Sequence, residues 1–389
     1  MQMRNQNLQK LVFLMAMKDL KTSACIVLAT TVLVLSCKER ASDKIKTSTT
    51  SKEVQQEAHQ LLVAQPDSIA TPEGMVWVSG IEFTQGARPG DSFALPREKP
   101  AHPVAVDGFF IDITEVTNAQ FKAFVEATGY VTLAERPVDW EELKKNVPPG
   151  TPKPADSVLQ PGSLIFDRSV QGVRDLNDYT QWWEWKIGAN WKHPQGPGSS
   201  IEGKDDYPVV HISYEDALAY CKWAKRRLPT ETEWEAAAHG QMPGGVYTWG
   251  DDDRALPTKA NTWQGTFPTK NTNEDGFAYV APVASFDPNS IGIYDMSGNV
   301  WELTQDWFST RYYQEIAGNT TVNPQGPAAS YNPENPYQAE KVIKGGSFLC
   351  DDSYCASYRI SARMGQAPDS ATDHSGFRTV ADVHMLQSE

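Results

Sequence analysis

The chain has 389 residues, with 35 Lys and Arg against 49 Asp and Glu, and a formal net charge of −14. At about 150 residues per domain it has room for two, but no internal repeat or linker divides the part after residue 73, so we expect one large domain. The acidic balance argues against a nucleic-acid partner, because such proteins need a basic face to neutralise phosphates. The basic trio at 225–227 is expected at a helix end, where positive charge complements the carbonyl end of the dipole.

The N-terminus is typical of an exported protein. Lys18 and Lys21 precede an apolar run over residues 24–35, which is shorter than the roughly 20 residues of a membrane-spanning helix. This pattern predicts a signal peptide over residues 1–36, with Met1 and Met17 both open as the start. Cys37 follows Ser36 and resembles the lipobox cysteine of bacterial lipoproteins. We therefore expect a lipid anchor on Cys37 at the membrane of the cell envelope, outside the cytoplasm; a buried apolar strand is the alternative.

Residues 37–72 are rich in Lys, Ser, Thr, Gln and Glu and poor in aromatics. Such a composition cannot bury enough surface to order itself, so we predict a disordered tether. The ordered domain is then expected over residues 73–385.

Secondary structure is readable in several places of that domain. Val76–Val78 and Phe109–Ile113 are expected as short strands, and capping residues predict helices beginning after Thr117, Ser213 and Thr230, the last ending at Gly240. Cys221 falls on the apolar face of the second helix, where a buried free thiol is expected.

The segment from Pro137 to Asp206 is heavy in Pro, Gly and Trp and has little periodicity. We expect an ordered loop that wraps the core, because long irregular segments are otherwise functional or disordered. Its four close tryptophans either cover the core or form the wall of a groove for a peptide: Trp182, Trp183, Trp185 and Trp191.

Two groups of oxygen-bearing residues follow. Hard cations such as Ca²⁺ take six to eight oxygen ligands from carboxylates, amides and backbone carbonyls, although Asn, Asp and Gly clusters also form plain turns. The first group is Asn261, Thr262, Asp275 and Phe277; the second is Asp295, Gly298, Val300 and Glu302.

Cys350 and Cys355 are separated by four residues and follow a Gly345-Gly346-Ser347 turn. Two thiols at this spacing converge if the intervening segment is a bend. A structural disulfide suits an exported protein, zinc would want a second Cys or His pair, and two thiolates without other ligands suit Cu(I) or a dithiol that is oxidised and reduced.

The sequence resembles the formylglycine-generating enzymes, the oxidases that modify sulfatases. The segments GGSFLCDDSYC, YRISAR and GFR resemble their active-site region, and RLPTETEWE, YDMSGNVWELTQDW and other segments between about Glu73 and Val383 follow in the family's order. The resemblance implies an α+β fold: a single loop-rich mixed domain of the sulfatase-modifying-factor type, similar to C-type lectins, with little regular secondary structure.

The resemblance also implies an activity. Members of the family convert a cysteine in a Cys-x-Pro-x-Arg signature of unfolded sulfatase polypeptides into formylglycine with dioxygen. Carried over, Cys350 and Cys355 are the ligands of Cu(I), the catalytic group also includes Ser347, Tyr354 and Trp301, and the two oxygen groups bind structural Ca²⁺.

Departures from the family pattern concern the cysteines and one carboxylate. Thr379, Ile360 and Ala238 stand where relatives carry additional cysteines, so Cys350 and Cys355 remain the sensible pair. Asp351 adds negative charge next to Cys350, which could disfavour the thiolates.

Two other functions compete with this interpretation. A non-catalytic envelope lipoprotein could use the same fold as a binding or assembly module, and it predicts loss of one or both cysteines. The sulfoxide synthases of this superfamily need an iron site with an H-x₃-H-x-E arrangement, and none of the seven histidines has that spacing.

Overall fold

A computed structural model describes residues 59–387, and the predicted signal peptide, Cys37 and the tether up to residue 58 lie outside that range. The fold is α+β, with short strands and few helices joined by long ordered loops. The strands are β1 (Met75–Val78), β2 (Ile81–Gln85), β3 (His102–Val106), β4 (Phe109–Asp112), β5 (Gly162–Phe166), β6 (Trp183–Ile187), β7 (Gly265–Thr266), β8 (Lys270–Asn271), β9 (Trp301–Trp307), β10 (Thr321–Val322), β11 (Lys341–Lys344), β12 (Met364–Gln366), β13 (Ser375–Gly376) and β14 (Val380–Ala381). The helices are α1 (Asn118–Thr128), α2 (Trp140–Leu143), α3 (Tyr214–Ala224), α4 (Glu231–His239), α5 (Leu256–Lys259), α6 (Tyr312–Ile316) and α7 (Val383–Leu386).

The strands form several small sheets. One has the order β1-β4-β14, a second the order β10-β3-β2, and a third, of four strands, the order β12-β11-β9-β13; β5 pairs with β6 and β7 with β8. In the four-stranded sheet β9 runs antiparallel to β11 and parallel to β13. This sheet matters most for the site, because β9 begins at Trp301 and β11 runs directly into Gly345 and the cysteine segment.

The three helices predicted from capping residues are confirmed. The side chain of Thr117 accepts a hydrogen bond from the backbone of Gln120, and Ser213 and Thr230 cap α3 and α4 in the same reciprocal arrangement. Gly240 follows α4 with a positive φ of 53°. These caps satisfy the backbone donors that helix starts leave open, and they fix α3 and α4 against the core.

The tether prediction is wrong for residues 59–72. The backbone of Leu62 donates to the Asp107 carboxylate at 2.8 Å, and its carbonyl accepts the N–H groups of Gly80 and Gly108 at 3.2 and 2.7 Å. Ile69 is buried against Met75 and Phe110 in a small cluster. Although this stretch is polar in composition, these few apolar and backbone contacts are sufficient to hold it on the domain.

The loop between residues 137 and 206 is ordered, as expected, but it is not without strands. β5 and β6 pair antiparallel over five residues each, from Gly162 opposite Ile187 to Phe166 opposite Trp183. The prediction missed them because the strands are short and β6 reads Trp-Glu-Trp-Lys-Ile, with no buried face of its own along the chain.

Buried charge pairs support the segment that follows the cysteines. Arg359 contacts Glu98 and Asp91 at 2.7 Å each, and Arg363 contacts Glu231 at 2.6 Å, all with side chains no more than 4% exposed. Both arginines are therefore held in structural carboxylate pairs. None of the helices between residues 59 and 387 is long and apolar enough to cross a membrane.

Candidate active site

The cysteine segment begins with two glycines in a conformation that other residues rarely adopt. Gly345 and Gly346 have φ values of +87° and +74°. A Cβ atom on Gly346 would lie 2.8 Å from the carbonyl carbon of Ser357, so the chain crosses itself here with no room for a side chain. The crossing turns the segment back toward the core at the point where β11 ends.

The residues between the cysteines form a tight bend. The carbonyl of Asp351 accepts the N–H groups of Tyr354, Cys355 and Ala356 at 3.1, 2.8 and 3.0 Å, and Cys350 donates its N–H to the carbonyl of Ser347 at 2.8 Å. The bend brings the Cys350 and Cys355 side chains close enough for each to influence the ionisation of the other. Both are free thiols; Cys350 is buried and Cys355 is partly exposed.

The two thiols differ in acidity. Burial, and then the neighbouring Cys355, raise the pKa of Cys350 well above its usual value. Burial also opposes ionisation of Cys355, but hydrogen bonds from the Cys350 thiol and from Ser357 outweigh it and lower the pKa of Cys355. Of the two thiols, Cys355, the more accessible sulfur, therefore ionises first as the pH rises.

Asp351 does not direct its charge at the thiols. Its Oδ1 accepts the N–H of Ser353 at 2.9 Å and also the Ser353 hydroxyl. This local turn uses the carboxylate to hold the bend in shape. The concern that Asp351 disfavours the thiolates therefore loses its basis in geometry.

The other expected catalytic residues lie around the pair. Ser347 is fully buried, and its N–H donates to the Cys350 sulfur at 3.4 Å. Tyr354 stacks on Phe267 with ring centres 4.7 Å apart and meets Trp182 edge-on at 5.5 Å. Trp301 is 2% exposed and belongs to the same core cluster as Cys350. The thiols are thus surrounded by rings that keep bulk water away.

The Tyr354 ring brings one of the loop tryptophans to the site. Trp182 is buried and packs on both Tyr354 and Phe267, while Trp183 lies against His374 with ring centres 4.8 Å apart. Trp191 instead packs on Phe121 in the main core. Trp191 therefore serves core packing and Trp182 packs beside the thiol segment, and the groove for a peptide stays a prediction.

The first oxygen group is buried and has an open acceptor. Asp275 accepts the backbone N–H groups of Thr262 and Phe277 at 2.9 Å each. Asn261 donates from its amide nitrogen to the Tyr279 carbonyl and to Asn299, at 2.9 and 3.1 Å, while its Oδ1 is buried without a hydrogen-bond partner. An orphaned buried oxygen next to a carboxylate fits a cation ligand.

The second oxygen group is only partly available to a cation. Asp295 accepts the Ala284 N–H at 2.7 Å. Both oxygens of Glu302 are bound by Arg378 at 2.6 and 2.7 Å, and Trp234 donates to Oε2 at 2.7 Å. The charge of Glu302 is therefore already compensated, and a cation here would draw on Asp295 and on backbone oxygens such as those of Gly298 and Val300.

The sequence analysis missed one residue, Glu115. Its Oε1 accepts a hydrogen bond from Asn299 at 3.0 Å, and its Oε2 is buried without a hydrogen-bond partner. Burial, and then the nearby Asp295 carboxylate, raise the pKa of Glu115 well above its usual value. Two adjoining buried carboxylates must share a proton or a cation. No signal in the sequence near residue 115 indicates this, because its partners lie about 180 positions away.

The oxygen groups are tied to the thiol segment. Gly298 donates its N–H to the Gly345 carbonyl at 2.8 Å, Phe348 donates to Asn299 at 2.9 Å, and Trp263 donates to Cys350 at 3.0 Å. A Cβ atom on Gly298 would lie 2.2 Å from the Asn261 carbonyl oxygen, so the two oxygen groups also meet. Within residues 59–387, no set of three or more His, Cys, Asp or Glu side chains is arranged to hold a metal ion.

This fold, with a thiol pair on a glycine turn above buried oxygen groups, defines a sulfatase-modifying-factor type of domain. The model of the sulfatase-modifying factor enzyme 1-like domain matches residues 60–383. The formylglycine-generating enzyme of Thermomonospora curvata is 42% identical over 319 residues, which cover 82% of this chain and 95% of that protein. The chain belongs to the formylglycine-generating enzyme family.

Two further similarities give this membership its context. The inactive C-alpha-formylglycine-generating enzyme 2 of Mus musculus is 38% identical over 321 residues, covering 81% of this chain and 87% of that protein. The solved structure of PvdO from Pseudomonas aeruginosa is 22% identical, with a TM-score of 0.51 and coverage of 79% of this chain and 94% of that one. The first shows that identity at this level extends to an inactive relative, and the second supports the fold alone.

Proposed function

We propose that this chain oxidises the cysteine of a Cys-x-Pro-x-Arg signature in sulfatase polypeptides to Cα-formylglycine, using dioxygen. The observation that carries the proposal is the thiol pair: Cys350 and Cys355 are free, are held together by one tight bend and differ in acidity. A domain that served only as a binding module would have no use for two neighbouring thiols in an aromatic surround. The names of the curated relatives point to the same activity.

The thiol pair suits copper(I). Two neighbouring sulfurs match the low coordination that this soft ion accepts. Within residues 59–387, no further His, Cys, Asp or Glu joins them to form a metal-holding group of three. Copper(I) held by the pair would supply one-electron chemistry toward dioxygen and a soft contact for a substrate thiolate.

The protein's own groups have distinct tasks in this proposal. Cys355 ionises more readily, whereas Cys350, with its raised pKa, must lose its proton when the metal binds. The rings of Tyr354 and Trp301 exclude water from the reacting cysteine, and the Ser347 N–H fixes the Cys350 sulfur at 3.4 Å. The Asp351 turn keeps the two sulfurs together when the site is empty.

We further propose that Ca²⁺ binds at Asn261, Thr262, Asp275 and Phe277, and at Asp295, Gly298 and Val300. Glu302, expected as a further ligand, is instead paired with Arg378. The orphaned Asn261 Oδ1 and Glu115 Oε2 support this, because each is a buried oxygen that lacks a donor. The ion would be structural, since the same loops hold the thiol segment through Gly298 and Asn299.

The site of action is proposed to be the cell envelope, through lipid on Cys37 after export. Substrates would then arrive unfolded beyond the membrane, as the signature cysteine must reach a partly buried thiol pair. Replacing Cys37 with Ser should release the protein into the soluble fraction of fractionated cells. Membrane partition equal to that of the wild type would contradict the anchor.

The activity is tested with peptides. The domain is loaded with Cu(I) and incubated in air with a peptide bearing Cys-x-Pro-x-Arg; conversion to the aldehyde is read as a mass change and by hydrazine trapping. A matched peptide with Ser in place of Cys is the blank, and one with Ala in place of Arg tests the signature. Conversion of the first peptide supports the proposal, whereas no conversion and no copper binding would favour a non-catalytic binding module.

A further inference from the structure

The proposed reaction needs two more electrons than the substrate cysteine supplies. Turning a cysteine CH₂–SH into an aldehyde with release of H₂S removes two electrons, but reducing dioxygen fully takes four. The balance closes when a small external thiol supplies the other two: CH₂–SH + O₂ + 2 R–SH gives CHO + H₂S + H₂O + R–S–S–R. During turnover the substrate peptide covers the thiol pair, so these electrons need a second way in.

Three aromatic side chains connect the neighbourhood of the thiol pair with the surface; we name them the aromatic stack: Tyr358, Tyr247 and Trp249. Tyr358 belongs to the same core cluster as Cys350 and Cys355. Its ring stacks on Tyr247 with centres 6.1 Å apart, and Tyr247 stacks on Trp249 with centres 4.9 Å apart and planes within 6°. Tyr358 and Tyr247 are buried, and Trp249 is partly exposed.

The backbone holds this stack in place. Tyr247 and Gly250 exchange both of their N–H to carbonyl hydrogen bonds, at 2.9 and 3.1 Å, which closes a tight turn. The indole N–H of Trp249 donates to the Asp252 carbonyl at 2.9 Å, and Ile360 donates to the Val246 carbonyl at 2.9 Å. The turn and the segment after the cysteines are therefore fixed to one another, as a path for electrons requires.

The other rings around the thiols do not offer this route. Tyr354 packs on Phe267, a ring that is far harder to oxidise than a phenol or an indole, and on Trp182, which is 1% exposed. Tyr and Trp are the side chains that lose and regain one electron most readily after Cys. Among the stacks around the thiols that the described residues form, the aromatic stack combines such rings with an end that a reductant can reach.

We propose that the aromatic stack is a one-electron relay from an external thiol at the surface to the oxidised thiol site. This rests on the proposed function. Tyr358 gives one electron to the site and is reduced again by Tyr247. Tyr247 is then reduced by Trp249, and a thiolate at the surface reduces Trp249. Two such passages convert two thiols into one disulfide, and their two protons end in the water formed at the site. Any phenol proton lost with an electron returns with the next, so the relay residues end unchanged.

The first test needs neither copper nor peptide. The reduced, metal-free protein is illuminated with a ruthenium polypyridyl complex and persulfate, which remove electrons from exposed indoles, and the yield in W249F measures direct oxidation of the partly exposed Cys355. Two electrons drawn outward through the stack should leave a Cys350–Cys355 disulfide with loss of two protons, measured by differential alkylation and mass spectrometry. Y247F removes only a hydroxyl and should lower the yield severalfold.

The matched control is W223F. Trp223 is 41% exposed on α3 and contacts the rings of Phe124 and Tyr220. The further ring contacts of Tyr220 are with phenylalanines. Loss of Trp223 should therefore leave the yield of disulfide unchanged. Equal yields in Y247F and wild type, or no disulfide in wild type, would overturn the relay. W249F provides a second variant should Y247F fail to fold.

A second measurement separates the relay from the proposed function. With copper, air and peptide, Y247F should complete its first turnover at the wild-type rate, because the reduced Cys350–Cys355 pair supplies the other two electrons once by becoming a disulfide. It should then slow severalfold at limiting external thiol, because the relay must reduce that disulfide. If wild type does not convert the peptide, the proposed function fails while the photo-oxidation result stands by itself. If Y247F matches wild type in both phases, the relay is wrong and the function stands.

Discussion

Cys221 and Cys350 are both 2% exposed and both free, yet their surroundings give them different chemistry. Cys221 lies on the inner face of α3 among apolar side chains, and burial raises its pKa to about 12. Cys350 sits on a bend that brings a second sulfur and a backbone N–H to it. The difference shows that burial by itself makes a thiol inert. A second sulfur and a backbone bend that brings an N–H to the thiol make it a candidate reactive site.

Gly346→Ala should distort the backbone turn that begins the cysteine segment, and it should have the largest effect on activity of the changes considered. A side chain would meet Ser357 at 2.8 Å and the φ of +74° would be strained, so we expect a loss of about 1–3 kcal/mol from the backbone alone and no peptide conversion. Gly172→Ala is the control, since nothing lies within 4 Å of its Cβ position. Denaturant unfolding and the peptide assay measure both variants; unchanged conversion by Gly346→Ala would contradict the account.

Glu302→Gln tests the buried charges beneath the thiol segment. It leaves Arg378 fully buried without its carboxylate partner, which should lower the free energy of unfolding by about 3–5 kcal/mol. Glu315→Gln removes an exposed partner of Arg311 and should change it by no more than about 0.5 kcal/mol. Equal effects would mean that the ion pair is not fully formed in solution.

Chelation should distinguish the thiol segment from α3. If Ca²⁺ binds the oxygen groups, removing it lowers Tm by mass action on the folded state. Hydrogen exchange should rise at residues 345–356, which are tied to Gly298 and Asn299, and stay constant in α3. Asn261→Ala, which removes a ligand of the first site only, should reduce the response, and Asn177→Ala, in an exposed loop, should retain it in full. A Tm unaffected by chelator in the wild type would remove both proposed calcium sites.

Alkylation against pH should give the smallest but most specific difference. In metal-free protein the lowered pKa of Cys355 means that its thiolate is present below the usual pKa of 9.0 and is lost as pH falls through the lowered value. The pKa of about 12 keeps Cys221 protonated over the same range. Iodoacetamide labelling followed by peptide mass mapping should show half-maximal modification of Cys355 below pH 9.0 and none of Cys221. Parallel profiles would contradict the assigned environments.

Sequence reasoning reached the three capped helices and the bend between the two thiols because each depends on neighbours close in the chain, whereas the fold class came from the resemblance to a known family. The capping side chains are followed three residues later by the partners that complete each cap: Thr117, Ser213 and Thr230. Glu115 and Arg378 could not be found in this way, since their partners Asn299 and Glu302 are brought to them only by the folded sheets. The β5–β6 pair and the packing of Leu62 escaped for the same reason: their hydrogen bonds join distant segments.

The central claim is that the Cys350–Cys355 pair performs the oxidation, and one comparison tests it most directly. Cys355→Ser and Cys221→Ser are loaded with Cu(I) under identical conditions, and bound copper and conversion of a Cys-x-Pro-x-Arg peptide are measured on the same samples. A hydroxyl is a hard, poorly ionised ligand, so Cys355→Ser should lose most of its copper and all conversion, while Cys221→Ser keeps both. Conversion by Cys355→Ser at the rate of Cys221→Ser would contradict the account.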